Sequence, residues 1–65
     1  MITVNGRGVS WEEGMSVARV MEVMKYTSHL VFVKVNGKAV RKEDWETTPV
    51  PDGAVVEAIH LVGGG

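Results

Sequence analysis

Apolar and polar positions alternate in short runs along this chain, and turns rich in glycine, asparagine or proline separate several of them. In Met1–Val4, Ile2 and Val4 fall on one side of a strand and Thr3 on the other. Asn5-Gly6-Arg7-Gly8 reads as a turn, because Asn-Gly tolerates the positive φ that hairpin turns demand. Val9–Trp11 returns as a second strand, with Val9 and Trp11 on the same side, and Gly14 ends it. The period then changes. Val17, Val20, Met21 and Met24 recur at helical spacing, so a helix is expected from Ser16 to about Lys25. Ser16 is placed to cap it, and Lys25 lies near the end where a cation suits the helix dipole. Three valines lower the intrinsic helix propensity of this stretch, so packing must hold it.

Leu30–Val35 is the clearest strand, dense in β-branched residues. Asn36-Gly37 repeats the hairpin signal, and a brief strand at Lys38–Val40 follows. Arg41–Thr48 is polar apart from Trp45, which suggests a surface loop or single helical turn pinned by one large side chain. Pro51-Asp52-Gly53 is a turn, and Ala54–Val62 forms the last strand. The order is β-β-α-β-β-β. One helix covers one face of a sheet, so an α+β two-layer domain is expected. The elements fit together if the final strand sits centrally beside the first, although periodicity does not specify strand order.

The alternation also divides the strands into faces. With Val31, Val33, Val35, Val56 and Ala58 turned toward the helix, Leu30, Phe32, Lys34, Val55, Glu57, Ile59 and Leu61 turn away. The uncovered side would show Phe32, Ile59 and Leu61 among the charges of Lys34 and Glu57. That is a candidate contact surface. The alternatives are scattered surface hydrophobes of the ordinary kind, or a cover formed by Arg41–Thr48.

Size and composition narrow the chemistry. Sixty-five residues make one domain, and a core this small supplies only about 3–5 kcal/mol. No cysteine is present, which removes disulfides, thiolate metal sites and a thiol nucleophile. A net charge of -1 with interspersed signs argues against nucleic acid. No apolar run approaches the ~20 residues of a membrane span, and the first residues lack the pattern of a secretory signal, so a cytoplasmic protein is expected. His29 and His60 are far apart in sequence and lack metal-ligand spacing. The carboxylates Glu12, Glu13, Glu43, Asp44 and Glu46 sit in polar or turn segments and read as solvated charges. Ser16 is a cap rather than a nucleophile, Met15, Met21 and Met24 read as core, and Trp11 and Trp45 as satellite core. Gly6-Arg7-Gly8 lacks the continuation of a phosphate loop. Catalysis by this chain alone is not expected.

What remains is the end, His60-Leu61-Val62-Gly63-Gly64-Gly65. Three glycines carry no Cβ, so the backbone there can approach another surface closely and enter a narrow channel. The α-carboxylate of Gly65 is the reactive group such an arm would present. A frayed terminus is the alternative.

The whole pattern resembles the ubiquitin-like β-grasp sulfur carriers, and most closely the ThiS family. The resemblance is carried by "MITVNG", by "VFVKVNGKAV" leading to "RKEDW", and by "VPDGAVVEAIHLVGGG". Many members end on two glycines after a different residue, and Gly63 is here a third. The resemblance implies a mixed sheet of about five strands with one helix packed on one face, a β-grasp domain over 1–62 and a flexible glycine tail over 63–65. It implies that a ThiF-type adenylating enzyme uses ATP to activate the Gly65 carboxylate. A sulfur donor system then yields a thiocarboxylate, and thiazole synthase takes the sulfur for thiamin. Gly63 and Gly64 would form the tail and Gly65 the attachment point. Phe32, Ile59 and Leu61 would form the docking surface, and the chain itself would bind no cofactor. Related carriers for molybdopterin, tRNA thiolation or cysteine synthesis share this chemistry. A ubiquitin-like interaction module with an inert tail, or a protein-conjugating modifier, would share the fold.

Overall fold

The computed structural model describes residues 1–26 and 31–60. The elements are β1 (Ile2–Val4), β2 (Arg7–Val9), α1 (Val17–Val23), β3 (Val31–Val35), β4 (Lys38–Val40) and β5 (Val55–His60), with a 3₁₀ turn at Lys42–Asp44. The strands form one mixed sheet in the order β2-β1-β5-β3-β4. β5 is central, parallel to β1 and antiparallel to β3, as the two-layer reading requires.

Both hairpins close on two-residue Asn-Gly turns. Asn5 and Gly6 have φ of 51° and 82°, and Asn36 and Gly37 have 50° and 83°. A pair of left-handed residues twists with the flanking strands, which is why Asn-Gly is favoured there. The first turn is tighter than the sequence suggests. Val4 already pairs with Arg7 and Thr3 with Gly8, so Arg7 and Gly8 belong to β2, which ends at Val9 instead of reaching Trp11.

Helix α1 is short, and its ends are satisfied by specific partners. Ser16 is the N-cap, and its hydroxyl accepts from the Arg19 amide at 3.2 Å. The Val17 and Ala18 amides, which have no partner inside the helix, donate to the carbonyls of Thr48 and Trp45 at 3.0 Å each. The stretch after β4 therefore finishes the helix. It also carries Trp45 into the core and is tied down by a Val50 amide bond to the Met15 carbonyl. Trp11 Nε1 donates to the Val50 carbonyl at 2.7 Å and anchors the same corner. Arg41–Thr48 is thus docked at the start of the helix, not spread over the open side of the sheet.

At the other end Lys25 lies outside the helix, beyond the Met24 cap, with φ of 62°. Its amide donates to the Glu22 carbonyl and the Tyr26 amide to the Met21 carbonyl, which is a Schellman arrangement. Lys25 therefore serves as the left-handed stop and not as a last-turn cation. Between sheet and helix lie Ile2, Val4, Val17, Val20, Val33, Val50 and Val56, all essentially sealed from solvent, with Met15, Met21 and Trp45 around them. Each such aliphatic side chain contributes about 1.5–3 kcal/mol by leaving water.

Candidate functional site

The side of the sheet that α1 does not cover is built by β3 and β5. Alternation turns Val31, Val33 and Val35 inward on β3, and Val56 and Ala58 inward on β5, so Phe32, Lys34, Val55, Glu57 and Ile59 point outward. Register then decides which of these meet. Phe32 lies directly opposite Ile59, and Lys34 opposite Glu57. The pairing makes one apolar step and one charged step of opposite sign, each worth about 0.2–1 kcal/mol across a strand pair. Lys34 Nζ stands 6.0 Å from the Phe32 ring centre, at the edge of cation–π reach.

Phe32, Ile59 and Val55 remain 37%, 46% and 54% exposed. Among the described residues the other large exposed apolar side chains are Met1 and Val23. The Met1 sulfur lies 2.9 Å from where a Cβ on Gly8 would stand, and Gly8 pairs with Thr3, so Met1 extends the open face toward β2. Four of these five side chains thus share one face, and Val23 alone is on the helix. Phe32 and Ile59 are brought together as the sequence suggests. Leu61, the third residue of the expected patch, lies outside the described residues, as do Gly63, Gly64 and Gly65. Val55 is exposed on the same face, beyond the Lys34–Glu57 step from Phe32 and Ile59. Alternation along β5 already turns Val55 outward, but its neighbourhood with Thr3 of β1 is visible only from the register.

The strand that bears this patch is also the one that leads toward the glycines. β5 is held along its β3 edge through the pairing of Val31 with His60. His60 meets the Tyr26 ring edge-on, with centroids 4.9 Å apart and an interplanar angle of 89°. On the other edge the backbone of Ala58 is bonded by the side chain of Asn5. A separate groove of about 520 Å³ lies between β4 and residues 44–49. The Thr47 and Thr48 hydroxyls beside it both donate to the Asp44 carbonyl, so they are not turned toward a ligand. Among the described residues no three or more His, Cys, Asp or Glu side chains gather as metal ligands. No described helix is long and apolar enough to cross a membrane.

The model of the ThiS family matches residues 2–65, the glycines included. The chain belongs to the ThiS family. It is 27% identical over 66 residues to the sulfur carrier protein ThiS of Bacillus subtilis, and the match covers all of both chains. Among solved structures, the crystal structure of the thiamine biosynthesis protein ThiS of Geobacter metallireducens superimposes with a TM-score of 0.79. It is 30% identical, and the match covers 98% of this chain and 97% of that one. The solution structure of a thiamine biosynthesis protein from the same organism gives a TM-score of 0.77 at 33% identity, over 98% of this chain and 86% of that one. The five-stranded mixed sheet with one helix is thus the ubiquitin-like β-grasp of ThiS structures.

Proposed function

We propose that this ThiS-family chain is a sulfur carrier for thiamin biosynthesis, loaded on the carboxylate of Gly65, and not itself an enzyme. The observation that carries the reading is the family match, which spans residues 2–65, from the first strand to the last glycine.

A carboxylate is a poor acyl electrophile, so it must first be activated. The Gly65 carboxylate oxygen attacks the α-phosphorus of ATP within a ThiF-type adenylating enzyme. Pyrophosphate leaves, and Gly65 becomes a mixed anhydride with AMP. A sulfur donor system delivers sulfur to the acyl carbon, AMP departs, and a thiocarboxylate remains. That anionic sulfur is the nucleophile that thiazole synthase takes up while the thiazole ring is built. The carrier needs no cofactor for any of these steps, because ATP belongs to the activating enzyme. All of these steps belong to the cytoplasm. What the carrier supplies is recognition and reach. Phe32 and Ile59 on the open face, together with Leu61, form the docking surface, since interface energy concentrates in a few apolar side chains that become buried. Gly63 and Gly64 carry no side chains that would bar entry to the adenylating site.

The test is mass spectrometry of the protein isolated from its own host, with a truncation lacking Gly64-Gly65 as the companion. A population heavier by one oxygen exchanged for sulfur is expected on the intact chain. Removing Gly64-Gly65 is expected to abolish ATP–pyrophosphate exchange by the cognate enzyme while the thermal unfolding curve is unchanged. An intact chain that remains wholly unmodified in sulfur-replete cells, or that continues beyond Gly65 without being trimmed, overturns the proposal.

A further inference from the structure

The Asn5 side chain stands in for a strand at the point where β1 leaves β5. β1 pairs with β5 at Thr3–Val55 and Val4–Val56, and the last backbone bond is from the Asn5 amide to the Val56 carbonyl at 2.9 Å. The chain then turns away at Asn5-Gly6. Two residues further along β5, the Ala58 amide and carbonyl still face that edge. Asn5 Oδ1 accepts from the Ala58 amide at 2.9 Å, and Asn5 Nδ2 donates to the Ala58 carbonyl at 3.1 Å. This two-point contact has the donor and acceptor pattern of a bridge residue. Asn5 Nδ2 also lies 3.5 Å from the hydroxyl of Tyr26, whose ring packs on His60.

We infer that Asn5 is a positioning residue for the reactive end. By holding Ala58 from the β1 side while β3 holds the other, it fixes the place and direction of the end of β5. The inference rests on the carrier reading above, because it concerns delivery of the Gly65 carboxylate to the adenylating site. There a displacement of about 1 Å can cost roughly 100-fold in rate. Asn36 supplies an internal control. It occupies the same place in the other Asn-Gly turn and also bonds β5, with its Oδ1 accepting from the Val55 amide at 2.9 Å. That bond lies at the start of the strand, away from the reactive end.

The test compares Asn5→Gly with Asn36→Gly in the full chain. Glycine keeps the left-handed turn in both and removes the side-chain bonds, and the backbone freedom it adds is common to the two variants. Two measurements are made, hydrogen exchange of the Ala58 amide and ATP–pyrophosphate exchange with the cognate activating enzyme. Asn5→Gly is expected to speed Ala58 exchange and to lower kcat about tenfold, with the KM for the carrier within about twofold of wild type, because the docking face is untouched. Asn36→Gly is expected to keep both Ala58 protection and kcat, even where its melting temperature falls as far. Unchanged Ala58 exchange in Asn5→Gly, or equal kcat in the two variants, overturns the inference. Should Asn5→Gly not fold, Asn5→Asp replaces it. It retains the acceptor for the Ala58 amide, whose exchange is then expected to stay near wild type, and it loses the donor to the Ala58 carbonyl, so kcat decides: a fall below that of Asn36→Gly is expected, and equal kcat overturns the inference. If the wild-type chain supports no pyrophosphate exchange, the carrier reading fails and the role of Asn5 in delivery fails with it. Ala58 exchange then still reports the clamp separately.

Discussion

On the helix side of the sheet, Ile2, Val33 and Val56 lose essentially all contact with solvent, whereas Phe32, Val55 and Ile59 on the opposite side keep a third to a half of theirs. The same strands supply both faces, with β-branched residues on each. The difference is that a single helix reaches only one of them. One face therefore stabilises a domain with little core to spare, and the other leaves apolar surface available for a partner. In a larger protein a second layer would cover both.

The two faces should respond to substitution in opposite ways. The largest effect on folding is expected from Ile2→Ala. Truncating a buried aliphatic side chain costs about 2–5 kcal/mol, comparable to all that a core of this size supplies. A denaturant midpoint close to that of wild type would show that this face is not what holds the domain. Ile59→Asp and Phe32→Asp should do the reverse. Folding stability is expected to fall by only about 1 kcal/mol, the span of strand preference. Affinity for the activating enzyme should drop about tenfold or more, as for a hot spot worth ~2 kcal/mol. Calorimetric titration alongside thermal melting separates these. Unfolding by either variant would mean that the open face is core after all, and unchanged affinity would remove it as the docking surface. The smallest effect is expected at neither face. Lys25 holds a left-handed φ of 62° as the helix stop, a conformation that costs a side chain about 1 kcal/mol. Lys25→Gly should raise stability by roughly 0.5–1 kcal/mol in urea melts with partner affinity unchanged. A loss of stability would show that this position is not strained.

Much of the fold is legible in the residues alone. Both Asn-Gly turns, the Ser16 cap, the inward valines of β3 and the facing of Phe32 and Ile59 follow from local periodicity and turn chemistry, and each holds among the described residues. The departures are local too. Asn5-Gly6-Arg7-Gly8 reads as a four-residue turn because nothing in Arg7-Gly8 shows that they already pair with Val4 and Thr3. Lys25 reads as helical because the apolar repeat extends to Met24, and the repeat does not report where the backbone reverses. Arg41–Thr48 is free to cover the open face as far as its polar pattern goes. Its role depends on the Trp45 and Thr48 carbonyls, and backbone acceptors leave no trace in side-chain pattern.

By itself, the chain's order of residues determined the elements, their faces and the glycines at its end, since these depend on contacts between near neighbours and on the stereochemistry of single residues. Which apolar residues meet across the open face, which carbonyls close the helix, and that Asn5 bonds Ala58 were decided only by the tertiary structure. Residues 5 and 58 are brought together by a register, and a register is set by the packing of the whole sheet, which no local pattern encodes.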